Sequence, residues 1–234
     1  PTQIGERLDP GLHYRDSYLH LLGPDGSVGQ QVLVMKTDSE VWRSGGYADT
    51  QAFGPRGVAL AWGEKVVYGW PADYELGAYG RDGTLSRIIR RDWNPLLVSE
   101  EDLSWWSDFH MNARERMTGR EWSAAARRSR QEAIDEMIFP EHHTVFDKLH
   151  TDRSGNLWVR HKHPRYHSAY SSFNVRFPFN WTWDVFDPEG RWLTSVTPPN
   201  SMEVHDIGED YILGVWKDEM DVEYVRMYEL DRGS

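Results

Sequence analysis

The side chains best suited to chemistry in this chain are its histidines. His142, His143, His150, His161, His163 and His167 fall within 26 residues, and an imidazole can ligate a divalent metal or move a proton near neutral pH. Strand alternation sets His161 and His163 on one face. Aligning two similar segments places Leu149–His150 against Val204–His205, so His150 and His205 are expected at one register in neighbouring sheets. Glu203 shares a strand face with His205, and either Glu203 or His143 would complete a ligand shell around them. A divalent metal or a histidine general base is the chemistry this spacing allows. The competing reading, favoured on spacing alone, has these imidazoles hydrogen-bonded within the fold and no cofactor. No G-x-S-x-G and no helical H-x-x-x-H is present.

Other candidates weigh less. Asp152 and Asp187 sit in Gly-containing turns, where a carboxylate ordinarily accepts from backbone N–H groups. Tyr166, Tyr170 and Trp181, with Phe173, Phe177 and Phe179 between them, crowd a stretch over 163–181 that reads as an inserted loop. Exposed, these rings would make a platform for a sugar or peptide; more commonly such rings fold a long loop onto its host. Arg87, Arg90 and Arg91, with six arginines from Arg114 to Arg130, form the basic region. Acidic neighbours such as Glu115, Glu121 and Glu132 make it a solvated face or a set of bridges.

Composition narrows the function classes. The net charge of −11 argues against a nucleic-acid partner, which needs clustered positive charge. The 234 residues contain no cysteine, which excludes disulfides, thiolate metal sites and cysteine nucleophiles. No apolar run reaches the length of a membrane span. The 12 Trp and 11 Tyr supply large buried area despite a hydrophobic fraction of only 39%. Pro1 is not an initiator Met, so the chain reads as processed or as a piece of something longer, and its start is no evidence about export. The compartment stays open, with an extracytoplasmic (periplasmic or secreted) bacterial location the expectation.

The elements that must position these groups are legible as a repeat. An alternating strand followed by an acidic-Gly turn recurs at Leu19–Gly26, Leu76–Gly83, Trp183–Gly190 and Arg226–Gly233. Glycine supplies the positive φ that such hairpins require. Outer strands are expected over Ser27–Met35, Thr84–Arg90 and Arg191–Thr197. Inner strand pairs are expected over Gly57–Trp70, Phe146–Arg160 and Val204–Trp216. An inner pair with an outer pair makes a four-stranded antiparallel blade. The spacing from Gly83 to Gly190 is 107 residues, against 43 from Gly190 to Gly233, so an insertion is expected. Ser99-Glu-Glu-Asp reads as a capped helix start and Pro140 as a stop, which puts a helical insert over 99–139 with Gly119 dividing it in two.

Asp152-Arg-Ser-Gly-Asn-Leu-Trp-Val is similar to the D-x-x-G-N-L-W-V strand turn of NHL-type propellers. Tyr79–Arg91, Asp184–Gly190 and Tyr211–Leu230 resemble the C-terminal portion of uncharacterised bacterial six-bladed β-propellers. The resemblance implies an all-β fold, an incomplete β-propeller of about three four-stranded antiparallel blades with an inserted helical segment. Missing N-terminal blades of a larger parent, a second copy, or pairing of the residues before Tyr18 with the last blade would complete the ring. It implies a binding or interaction module for a protein, peptide or small molecule. A lyase or hydrolase acting through channel histidines is the alternative.

Overall fold

The structure, a computed structural model, describes residues 8–164, 180–199, 202–220 and 222–232. It is mostly β, with four antiparallel sheets and two helices. The first sheet has strands β1 (Gly11–Leu22), β2 (Val28–Trp42) and β3 (Ala48–Thr50). The second has β4 (Val58–Trp62), β5 (Lys65–Gly69), β6 (Glu75–Tyr79) and β7 (Leu85–Arg90). Helices α1 (Glu100–Thr118) and α2 (Ala124–Asp135) follow. The third sheet has β8 (Phe146–Thr151), β9 (Leu157–His161), β10 (Trp183–Phe186) and β11 (Trp192–Val196). The fourth has β12 (Glu203–Ile207), β13 (Tyr211–Lys217) and β14 (Glu223–Glu229). Each sheet pairs its strands in chain order, as a meander.

The hairpins are made by one local device. Gly26, Gly83, Gly155 and Gly190 take φ of 80°, 80°, 83° and 74°, a conformation that costs other residues a Cβ clash. In each turn an aspartate accepts from a backbone N–H two to four residues on: Asp25 from Ser27 at 3.0 Å, Asp82 from Thr84 at 2.9 Å, Asp152 from Ser154 at 3.0 Å and Asp187 from Arg191 at 2.8 Å. The D-x-x-G-N-L-W stretch takes this furthest. The Asp152 carboxylate also accepts from Asn156 N, Asn156 Nδ2 and Trp158 Nε1 at 2.8, 2.8 and 3.0 Å, and from Arg232 at 2.9 Å. Its motif residues are therefore fold determinants.

The second, third and fourth sheets pack on one another in sequence, and hydrogen bonds tie the first to the second. Gly57 N donates to Thr37 O at 3.0 Å and Tyr68 Oη to Lys36 O at 3.0 Å, joining the first sheet to the second. A Cβ at Gly57 would overlap the Lys36 carbonyl oxygen, so this approach requires glycine. Val67, Leu76 and Ile89 of the second sheet share a buried layer with Phe146, Leu157 and Phe186 of the third. Trp158, Trp183 and Val185 of the third share another with Val204, Ile207 and Ile212 of the fourth.

Ser99 caps α1 in a full capping box with Asp102, and Gly119 ends it at φ 62°. Ser123 caps α2. The helical layer meets the β layer where Trp106 and Ile134 bury against Ala52 and Phe53.

The segments read from the sequence give an outer pair in the first unit, two full four-stranded units and three strands in the last. Among the described residues the second and third sheets have four strands and the fourth has three, as expected, while the first has three, the short β3 being the unexpected one. The first sheet is where the structure departs. Pairing runs from Gly11↔Trp42 to Leu22↔Val28, with irregularities near Asp16 and His20 absorbing the changes of register. The polar run His13–Ser17 hides this strand from a hydrophobic-period reading, because its surface is largely solvated.

Candidate ligand-binding cleft

Among the described residues the histidines do not form a ligand set. Both ring nitrogens of His150 lie near backbone carbonyls, Nδ1 at 2.7 Å from Thr151 O and Nε2 at 3.2 Å from His205 O. His205 is exposed at a bulge in β12, between the paired residues Val204 and Asp206. β8 carries the same irregularity at Asp147, between Phe146 and Lys148. With the buried pairs Phe146/Leu149 and Val204/Ile207 superposed, His205 registers with Asp147 rather than with His150. A bulge adds one residue to one strand, which breaks a two-residue alternation. Glu203 bonds Lys148 Nζ at 2.5 Å and Arg160 at 3.0 Å. His143 is buried, its Nε2 3.1 Å from Asp102 Oδ2 and its ring edge-on to Phe53, so it ties the α1 cap to the β layer. Among the described residues no three His, Asp or Glu side chains group as a metal shell.

Trp181 corrects the expectation of an aromatic surface. It is 3% exposed, with the Arg160 guanidinium 4.0 Å above its ring. Apolar burial and a cation on its face account for its position. Tyr166 and Tyr170 lie outside the described residues.

A second cluster holds the residue types of a hydrolytic triad without its geometry. Asp184, fully buried in β10, accepts from His161 Nε2 and Tyr74 Oη, both at 2.7 Å, and from Ser195 Oγ at 2.6 Å, and it pairs with Arg91. The serine donates to the aspartate and not to the histidine, so no proton path runs from hydroxyl to imidazole. Burial alone would raise the Asp184 pKa. The bonds from His161, Arg91, Ser195 and Tyr74 outweigh it and hold the carboxyl far below the usual range. This cluster bolts the third sheet to the second.

A cleft of about 470 Å³ with room for a ligand lies where the first three sheets meet, within the usual span of small-molecule pockets. β2 contributes Asp38, the turn after β3 contributes Phe53, and the third sheet contributes Asp147, Arg160 and Lys162. Phe53 holds φ 57°, uncommon for a bulky residue. The Gly54 N–H bond to Gln51 O at 3.1 Å closes its turn, and Phe139 and His143 pack on its ring. Arg160 and Lys162 are two apart along one strand run, and both face the cleft. Lys162 N donates to Val145 O at 2.9 Å, which extends the β8–β9 ladder and brings Thr144 alongside.

The charges of this cleft are matched but for one. Arg56 pairs with Asp38 at 2.9 Å, and Arg160 grips both oxygens of Asp147 at 2.7 and 3.1 Å. Lys162 has no carboxylate within ion-pair distance among the described residues. Burial pushes its amine pKa down, Asp147 works against that, and the Arg56 charge adds to it. The Thr144 hydroxyl is buried, 5% exposed, and has no hydrogen-bond partner among the described residues.

Comparison with known proteins finds no matching family model and no curated protein with a significant match. Sequence reasoning passed over Arg56, Thr144, Arg160 and Lys162. The signal available was Arg160-His161-Lys162 at the end of a run reading Leu-Trp-Val: charge on an otherwise buried strand is informative, because it must find a partner or a ligand.

Proposed function

We propose that this chain is a non-enzymatic binding module of the bacterial six-bladed, NHL-like propeller type, with its sheets as consecutive blades and the cleft as its small-molecule site. The cleft carries the reading: a pocket of about 470 Å³ with an unmatched cation and an unsatisfied buried hydroxyl. Such groups cost stability in an unliganded protein and are favoured where a ligand completes them. Packing of the last three meander sheets on one another in order supports the propeller part. Further blades would come from a longer parent or a second copy. A strand from either source would complete the fourth sheet at β14, an edge among the described residues, where Val225 is 75% exposed. A lyase or hydrolase acting through His150 and His205 would need their rings to converge, whereas His150 faces backbone carbonyls.

The test is a thermal-shift panel of sugars, polyols, amino acids and carboxylic acids against the wild type and Thr50→Trp, which fills the cleft from an exposed lining position. Stabilisation by at least one class, lost in Thr50→Trp, is expected. A panel without effect, or effects unchanged by Thr50→Trp, would overturn the cleft as the site. Conversion of a stabilising compound to product would overturn the non-enzymatic part.

A further inference from the structure

We infer that the cleft takes a small monocarboxylate, with the carboxylate received between the Lys162 ammonium and the Thr144 hydroxyl. This rests on the cleft being a ligand site and assigns the chemistry of what enters it. Three pairs neutralise their own charges nearby: Arg56 with Asp38, Arg160 with Asp147, and Lys148 with Glu203. Lys162 is left over, so the complement of the cleft is a single negative charge. A dianion would leave one charge unmatched against the carboxylates of Asp38 and Asp147, which line the same cleft. Thr144 supplies a hydroxyl donor, buried and unsatisfied, on the strand run beside Lys162. A carboxylate has two oxygens and accepts from both donors, and its bond to an ammonium is of the stronger, charge-assisted kind. An uncharged amide of the same shape forfeits that bond. Burial and the Arg56 charge disfavour the ammonium, Asp147 favours it, and an entering carboxylate adds to the favourable side. Phe53 and Val58 offer apolar surface for the body of the ligand, and the volume admits several carbons.

The experiment compares sodium benzoate, its uncharged isostere benzamide and inorganic phosphate at matched ionic strength, by thermal shift and titration calorimetry. Benzoate at several times its Kd is expected to raise Tm by about 3 °C over sodium chloride, with benzamide and phosphate each giving less than half of that. Lys162→Met is expected to weaken benzoate about tenfold or more, while Lys162→Arg keeps affinity within about threefold. Thr144→Val removes one donor with little change of volume and is expected to weaken benzoate several-fold. Equal shifts from benzoate and benzamide, or a larger one from phosphate, would overturn the monocarboxylate assignment. So would benzoate affinity that survives both Lys162→Met and Thr144→Val. A neutral compound whose stabilisation disappears in Thr50→Trp would leave the cleft standing as a site and reject only the charge assignment. If Lys162→Met does not fold, Thr144→Val and Lys162→Arg decide.

Discussion

Buried polar residues in this protein divide into those that are satisfied and those that wait. Asp184 belongs to the first kind, with four partners drawn from the third sheet, the residue before β6 and the residue after β7. Asp184→Asn leaves Arg91 without its counter-ion and should cost about 3 kcal/mol or more in denaturant unfolding; a loss under about 1 kcal/mol would show the cluster to be incidental. His143 carries a pH signature. Burial lowers its pKa, the Asp102 carboxylate opposes that, and the Lys162 charge adds to it. The unfolded chain therefore binds this proton more readily than the native one. The contribution of neutral His143 is complete above about pH 6.5 and declines as pH falls below it. The stability difference between wild type and His143→Gln should shrink on acidification from pH 7.5 to 5.5, and a constant difference would remove His143 from the pH response. At this scale the sequence was only partly legible. Asp152 and Asp187 announced themselves as turn residues because their partners lie within a few positions. Asp184, Thr144 and Lys162 did not, because their environments are built by strands distant in the chain. The histidine register failed because the alignment set Leu149 on Val204, whereas the buried residues superpose Phe146 on Val204, a shift along the strand that apolar residue types alone do not reveal.

Elements were more legible than residues. Ser99-Glu-Glu-Asp contains the donors and acceptors of its own cap, and the full box forms. Gly119 takes the left-handed conformation at the end of α1. Ser99→Ala removes the hydroxyl that accepts from Asp102 N at 3.2 Å and donates to Asp102 Oδ2 at 2.6 Å. It should cost about 1 kcal/mol, with faster hydrogen exchange concentrated at 99–104; exchange unchanged there would mean that the tertiary contacts alone hold the helix start. The inner strand pairs expected over Gly57–Trp70, Phe146–Arg160 and Val204–Trp216 match β4–β5, β8–β9 and β12–β13, the last two to within one residue at their ends, because apolar alternation and turn chemistry agree in each. The first sheet was read short. Its strands are exposed over much of their length, so hydrophobic period says little about where they begin, and pairing sets their extent.

For the molecule as a whole, the sequence pattern of hairpin, turn and hairpin carries over into four meander sheets, the last three packed in order and the first hydrogen-bonded to the second. The helical layer rests on the same corner as the cleft: Phe53 lines the cleft on one side and meets Trp106 and Ile134 of the helices in a shared buried cluster. A ligand in the cleft would therefore touch segments far apart in sequence: the turn over 50–57, the lead-in to β8 over 144–147 and the run over 160–162. That distribution gives the most direct test of the central claim, that this junction of three sheets is the binding site. Hydrogen–deuterium exchange of the whole chain, with and without saturating sodium benzoate, should show protection rising together in those three segments, with Thr50→Trp abolishing all three changes. Protection confined to 163–181 or to the β14 edge, with 50–57, 144–147 and 160–162 unchanged, would contradict the account.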